Sequence, residues 1–434
     1  MLDFKKLSFN IYIEMLLRFS AVLINTIMIS WYDVYLIGAM SSANQVFIIA
    51  TTVFSFLAIG SSILISQALG AKNKNLAIRA AHISLSFNAI LGIITFFITF
   101  VFASSFLKLL NVPSEIFNHS LIYLKSITFV IFLDSFNIAI SSILRTYAKT
   151  KELMITSIIM NFAGVIFNAI FLFYYDLGLL GVGLSGIISR IICLILLIYI
   201  YKKIAKLKIY FKLFLNAKIS IFKNILKIGG FSAGENLLWS AQYMVIFAFV
   251  GLLGKDNLSI QTIFFQLSMF IFITSSAISV ANEIIVGRLV GKKDYEMAYS
   301  HGFKALKLAI FSNLTLVIII FLSQNIICDL LKLNDDLKDI IKPLFYVSFF
   351  LETSRALNIV MVNSLRAAGD ASYPFYMGII FMWGVSVPLA YFLAIYQGFG
   401  LIGIWLAFLA DEFLRGLANT LRWKSKKWIE KTLV

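Results

Sequence analysis

Residues 183–208 read GLSGIISRIICLILLIYIYKKIAKLK. From Gly183 to Tyr201 the run is overwhelmingly apolar, and it ends abruptly in Lys202, Lys203, Lys206 and Lys208. A helix that crosses the hydrocarbon core of a bilayer needs about 20 mostly apolar residues. Lysines crowded at its exit are how such a helix marks its cytoplasmic end. The rest of the chain repeats that design. Of its 434 residues 60% are hydrophobic and 13% charged, with mean hydropathy +0.92. Soluble domains lie near 45–50% apolar and about 25% charged. No soluble fold of this size has interior enough to hide so much apolar surface. A water-soluble enzyme, a nucleic-acid module and a disordered chain are thereby excluded, and the solvent is a lipid bilayer.

Reading for apolar runs between polar breaks yields twelve segments, at 9–38, 44–68, 80–106, 119–143, 154–174, 183–201, 228–251, 259–286, 302–323, 341–362, 374–395 and 402–421. Helices are the element expected, because no alternating ten-residue strand pattern occurs. The net charge of +16 then reads as topology rather than as nucleic-acid binding. Lys72, Lys74 and Arg79 follow the second segment, Arg145, Lys149 and Lys151 the fourth, and Arg288, Lys292 and Lys293 the eighth. Lys202, Lys203, Lys206, Lys208, Lys212, Lys218 and Lys223 follow the sixth, and Arg422, Lys424, Lys426, Lys427 and Lys431 the twelfth. Arg366 alone follows the tenth. Odd-numbered exits are neutral or acidic, as with Asp329, Asp335, Asp336 and Asp339 after the ninth. Both termini are expected to be cytoplasmic in a multi-pass protein of the bacterial inner membrane. The start of the chain, with Asp3, Lys5 and Lys6, does not resemble a cleaved signal peptide.

The long basic connection 202–226 divides the chain into an N-lobe, 1–201, and a C-lobe, 227–434. The two resemble each other. LRTYAKTKE from Leu144 and LRAAGDASY from Leu365 stand 221 residues apart, as do Gly70 and Gly291, and Asn137 and Asn358. LGLLGVGL from Leu177 and FGLIGIWL from Phe399 match at 222. Matches at one spacing in one order indicate an internal repeat. Six crossings per lobe bring the second copy back in the same orientation, so the repeat is parallel. Two such bundles normally enclose a cleft near the midplane where transporter substrates bind.

With those motifs in hand, the chain resembles the multidrug and toxic compound extrusion (MATE) family. The resemblance rests on DVYLIGAM (Asp33–Met40), SQALGAKN (Ser66–Asn73) and VGRLVGKKD (Val286–Asp294). ALNIVMVNSLRAAGD (Ala356–Asp370) and GLIGIWLAFLADEFLRG (Gly400–Gly416) complete it over nearly the whole length. It implies an all-α, twelve-helix protein of two pseudo-symmetric six-helix lobes. It further implies a cation-coupled antiporter, driven by Na⁺ or H⁺, that exports cationic and amphipathic drugs by alternating access. No cofactor beyond the coupling ion is implied. The chain departs from the family in lacking a proline early in the first and seventh segments, its only prolines being Pro113, Pro343, Pro374 and Pro388. Asn168 and Arg355 stand where some members carry aspartate, so a site built on those carboxylates does not transfer unchanged. A lipid-linked oligosaccharide flippase of the same superfamily is the alternative; it would bring fourteen helices and a more cationic cavity. A membrane scaffold or membrane enzyme is a more distant rival.

Charged groups at bilayer depth cost about 2.5–3.5 kcal/mol on insertion scales and are therefore kept for a use. Asp33 reads either as the marker of an outer helix end or, as the resemblance implies, as the carboxylate that takes the coupling ion. Asp134, Asn137 and Asn168 offer oxygens that with Asp33 would form a cage for Na⁺, metal binding being expected nowhere but at Asp33 and Asp134. Glu235 lies among Gly229, Gly230 and Gly234 and is a second coupling candidate. Glu14 and Arg18, and Glu352 and Arg355, are one turn apart and read as ion pairs or gate elements, with Arg355 expected to reach Glu235 and Asn358 beside it. Glu283, Asp411, Glu412 and Arg415 read as contacts near cytoplasmic helix ends. Trp239 and Tyr243 are candidates for lining a cleft and holding an organic cation by their ring faces. Cys193 and Cys328 lack metal-site spacing and read as small hydrophobes. No nucleotide-binding loop, HExxH motif or Ser/His/Asp arrangement occurs, so ATP drive and hydrolysis are not indicated. The expected partners are small organic cations and the lipid bilayer, with no nucleic acid, for a protein expected to be monomeric.

Overall fold

The computed structural model describes residues 2–33, 35–110, 112–207 and 219–433. Of the basic connection, Lys208, Lys212 and Lys218 lie outside the described residues. Twelve long helices are present among those residues. They are α1 (Phe4–Tyr32), α2 (Leu36–Gly70), α3 (Lys74–Val101), α4 (Ser114–Thr146), α5 (Thr150–Tyr174) and α6 (Gly178–Ile204), then α7 (Ile219–Leu252), α8 (Lys255–Gly291), α9 (Tyr295–Leu322), α10 (Asp335–Ala368), α11 (Ser372–Tyr396) and α12 (Gly400–Lys424). Most overrun the apolar segments read from sequence. Hydropathy reports only the portion that must sit in hydrocarbon, whereas hydrogen bonding carries a helix on until a cap or a turn stops it. Ten of the twelve are long and apolar enough to cross a membrane. The two that fall short, α7 and α12, carry Glu235 and the trio Asp411, Glu412 and Arg415 respectively.

The chain forms two compact units. The N unit comprises Ile13–Ile65 and Asn73–Gly229; the C unit comprises Met1–Tyr12, Ser66–Lys72 and Gly230–Val434. The start of α1 and the end of α2 thus pack with the C unit, and the start of α7 packs with the N unit. Each unit has an aliphatic and aromatic core. Met28, Ile29, Leu36, Leu124 and Leu172 cluster in the N unit. In the C unit Phe264 meets Phe345 and Trp405 edge to face, with centroids 5.2 and 4.7 Å apart. The Trp405 indole donates to Gln261 Oε1 at 2.8 Å, which satisfies the polar N–H of that ring.

The repeat is visible in the turns. Asn73 caps α3 by accepting from the Leu76 amide, and Asp294 caps α9 by accepting from the Met297 amide, 221 residues later. The preceding Lys72 and Lys293 both hold left-handed backbone, φ 56° and 64°. The turns at Asp176 and Gly398 and those at Gly178 and Gly400 match at an offset of 222. Within the C unit a Cβ on Gly70 would fall on the Arg288 backbone, and one on Gly291 on the Gln67 backbone. Both glycines and both partners are 221 apart, so the end of α2 and the end of α8 meet through reciprocal bare backbone, an approach only glycine permits.

Candidate functional site

In the N unit, α1, α4 and α6 each bring a charged residue inward. Glu14 is buried and sits 2.7 Å from Arg145 and 3.4 Å from Arg18. Asp134 lies 3.5 Å from Arg190 Nε, so it has the cationic neighbour that sequence spacing did not reveal. Asn137 donates weakly to Asp134 Oδ1 and to the Arg190 carbonyl, both at 3.4 Å. Asn168 is engaged elsewhere: it donates to Asn25 Oδ1 at 2.7 Å and accepts from the Ser185 hydroxyl. Two neighbouring cavities of about 190 and 200 Å³ share Arg18, Phe47, Met160 and Arg190 in their walls. Asn168 lines the first, whereas Asp134 and Asn137 line the second.

Asp33 lines neither. It follows the last residue of α1, its Oδ1 accepts from the Tyr35 amide at 2.9 Å, and its carbonyl accepts from the Leu36 amide at 3.2 Å. The carboxylate terminates α1 and shapes the turn into α2 (an Asx-type use of the side chain). The four-residue oxygen cage of Asp33, Asp134, Asn137 and Asn168 is therefore not assembled in this structure, and Asp134 faces the guanidinium of Arg190.

In the C unit the charges converge from α7, α10 and α12 on a cavity of about 400 Å³. Glu235, Glu412, Arg355, Arg366 and Arg415 line it, with Trp239, Phe272 and Asn358. Glu235 lies 2.8 Å from Arg366 and 3.9 Å from Arg415. The expected partner, Arg355, is turned instead to Glu352 at 2.9 Å, to the Ser268 hydroxyl at 2.6 Å and to Glu412 at 3.6 Å. Arg415 grips Asp411 with two bonds of 2.7 Å. Asp411, Glu412 and Arg415 fall near the middle of α12 and are buried, not near a helix end as read from sequence. Arg145 and Arg366, counted there as loop charges, also belong to inward ion pairs. Trp239 lines the cavity, and Tyr243 stacks behind it with centroids 6.0 Å apart. The signal that would have found Arg366 was present: Glu14 and Glu235 share the offset of 221 with Arg145 and Arg366.

The two sites differ in balance. In the N unit Arg18, Arg145 and Arg190 face Glu14 and Asp134, which leaves one positive charge. In the C unit Glu235, Glu352, Asp411 and Glu412 face Arg355, Arg366 and Arg415, which leaves one negative charge. Pairing each guanidinium with its nearest carboxylate identifies the surplus group. Arg366 takes Glu235, Arg415 takes Asp411 and Arg355 takes Glu352. Glu412 keeps only the longer contacts, 3.4 Å to Arg415 and 3.6 Å to Arg355, plus an amide bond of 2.8 Å from Asn358.

The sequence profile of the MatE family matches residues 11–170 and again 232–392, two matches whose starts are 221 residues apart. The chain is 33% identical over 430 residues to an uncharacterised transporter, YisQ, of Bacillus subtilis (strain 168), covering 98% of this chain and 94% of that protein. It is 25% identical over 419 residues to a probable multidrug resistance protein, NorM, of Thermotoga maritima, covering 94% and 89% respectively. Among solved structures, an outward-facing conformation of a multidrug resistance MATE family transporter of the MOP superfamily superposes with a TM-score of 0.91. It covers 99% of this chain and 96% of that one at 18% identity, a likeness of fold.

Proposed function

The chain belongs to the MatE family of transporters, and from that premise we propose that it exports cationic and amphipathic compounds in exchange for protons at Glu412. The observation that carries this reading is the surplus carboxylate: the C-unit cavity is lined by an acid that no guanidinium fully claims. A buried charge without a full partner is costly. Either a proton or an organic cation removes that cost, and both cannot do so at once. Occupancy by one disfavours the other, so exchange follows from linkage alone once the site opens to one face of the membrane at a time. Trp239 in the cavity wall offers an aromatic face to the charge and body of an organic cation, while the Phe272 ring already carries Arg355 5.8 Å from its centroid.

A proton suits this site better than Na⁺. A hard cation asks for a shell of several oxygens at close range. Here the carboxylate oxygens are already met by guanidiniums and the Asn358 amide, which leaves no shell of several free oxygens for Na⁺, whereas a proton needs only one oxygen. The loop charges support placement in the bacterial cytoplasmic membrane with both termini inside.

The test is efflux of ethidium from proteoliposomes holding the purified protein, with a pH gradient and a Na⁺ gradient imposed separately. The pH gradient alone should drive efflux. Glu412→Gln, which neutralises the cluster and so spares its folding, should slow efflux at least about tenfold. Efflux driven by Na⁺ alone, or undiminished in Glu412→Gln, overturns the reading. If Asp33→Asn uncouples efflux while Glu412→Gln does not, the exchange group sits at the end of α1 instead.

A further inference from the structure

The first N-unit cavity differs in chemistry from the site just described. Its wall holds two guanidiniums, Arg18 and Arg190, and no carboxylate. The amide of Asn161 also lines it, and Asn161 Nδ2 is a buried donor without a hydrogen-bond partner, while Arg190 Nε makes no hydrogen bond and lies 3.5 Å from Asp134. The unmet acceptors nearby, Glu14 Oε2 and Asn137 Oδ1, belong to residues of the second cavity and not of the first. The first cavity thus has donors to give and positive charge to neutralise.

The charge is a surplus one. Arg145 engages Glu14 at 2.7 Å and Asp134 faces Arg190, so Arg18, 3.4 Å from a carboxylate already taken, is the cation left over. Its side chain is 54% exposed, which leaves it free to turn towards an incoming group. The remaining wall mixes hydrocarbon and aromatic side chains, Met40, Phe47 and Val130 among them, with the amides of Asn25, Asn44 and Asn168 and the hydroxyls of Ser185 and Ser189.

We propose that this cavity binds the carboxylate of a small amphipathic organic acid, held by Arg18, Arg190 and the Asn161 amide, with its apolar body against Met40 and Phe47. Guanidinium forks match the planar carboxylate and give it paired charge-assisted bonds, a geometry that an ammonium lacks. One net positive charge suits a monoanion. A phosphate dianion would be left half neutralised by one net charge, and an inorganic monoanion would leave the apolar surface of Met40, Phe47 and Val130 uncovered. A cavity with a few placed polar groups in an apolar wall is the usual form of a small-molecule site. This inference stands apart from the proton exchange assigned to Glu412 and shares no residue with it.

The experiment is equilibrium binding of tritiated 1-naphthoate to the full-length protein in detergent, with uncharged 1-naphthamide as the matched competitor. Naphthoate should bind saturably, and naphthamide should displace it at least about tenfold less well, because it lacks the charge. Arg18→Gln, at a half-exposed position where folding is not at stake, should weaken naphthoate about tenfold and leave naphthamide unchanged. Asp134→Asn removes the acid that faces Arg190 and should tighten naphthoate several-fold, a gain that a misfolded protein cannot imitate. Equal affinity for acid and amide, unaltered binding in Arg18→Gln, or weaker naphthoate binding in Asp134→Asn each overturns the proposal.

Discussion

The N unit and the C unit place opposite charges at equivalent positions. Asp134 and Arg355 are 221 residues apart, and Arg190 and Glu412 are 222 apart. The N-unit pair Asp134–Arg190 spans 3.5 Å and the C-unit pair Arg355–Glu412 spans 3.6 Å, with acid and base exchanged. A second pair is kept with its signs intact, Glu14–Arg145 at 2.7 Å and Glu235–Arg366 at 2.8 Å. The kept pair joins the first helix of each repeat to its fourth in both units. The inverted pair turns one architecture into two electrostatic sites. Arg18 in the N unit gives way to Trp239 in the C unit at the same offset, and Cys193 gives way to Arg415 at 222. Arg18 and Arg190 of the N unit thus correspond to Trp239 and Glu412 of the C unit, which in turn carries Arg415 in place of a cysteine.

The kept pair predicts the largest effect. Arg366→Met leaves Glu235 buried with only Arg415, 3.9 Å away, and should cost about 3–5 kcal/mol, the usual penalty for stranding a buried charge. Arg145→Met should cost under about 2 kcal/mol, because Glu14 retains a half-exposed Arg18 and Arg145 is itself less buried. Denaturant unfolding in detergent, read by loss of monodisperse protein, measures both. Equal costs would break the comparison, since they would mean that the second guanidinium beside each glutamate contributes nothing.

A middling effect is expected at the paired asparagines. Asn358 donates to Glu412 at 2.8 Å, whereas Asn137 reaches Asp134 only at 3.4 Å. A bond to a charged group is worth about 1.5–3 kcal/mol at good geometry and far less when stretched. Asn358→Ala should therefore shift the proton dependence of efflux and slow it about tenfold, with Asn137→Ala near wild type. If Asn137→Ala is the damaging variant, the working site belongs to the N unit and the assignment of Glu412 falls.

Much of the frame was legible in the sequence, because hydropathy and the positive-inside bias are local sums over twenty residues. The offset of 221 likewise needs only comparison of the chain with itself. What spacing cannot reveal is a partner on another helix. Glu352 with Arg355 is three residues apart and was readable as a pair, whereas Glu235 with Arg366 spans 131 residues. Asp33 poses the opposite difficulty, since a carboxylate that ends a helix and one that serves a site look alike within a motif. Glu412 was obscured because an acid beside Asp411 and Arg415 resembles a polar helix end, and only its register against Arg190 sets it in mid-helix.

The turns after α4 and α10 offer the finest comparison and the smallest predicted effect. Ala148 and Gly369, again 221 apart, both hold positive φ, 61° and 97°. In the N unit an alanine bears left-handed backbone, which costs about 1–2 kcal/mol relative to glycine. Glycine in exchange frees the unfolded chain by about 0.4–1 kcal/mol. Ala148→Gly should therefore stabilise the protein by less than about 1 kcal/mol, measured as a small rise in denaturation midpoint without change in efflux. The reverse change is barred at Gly369, where a Cβ would strike the Lys431 carbonyl oxygen as well as meet the strained φ. If Ala148→Gly destabilises, left-handed backbone at that turn is not under strain. The two turns would then share an offset without sharing a physical cause.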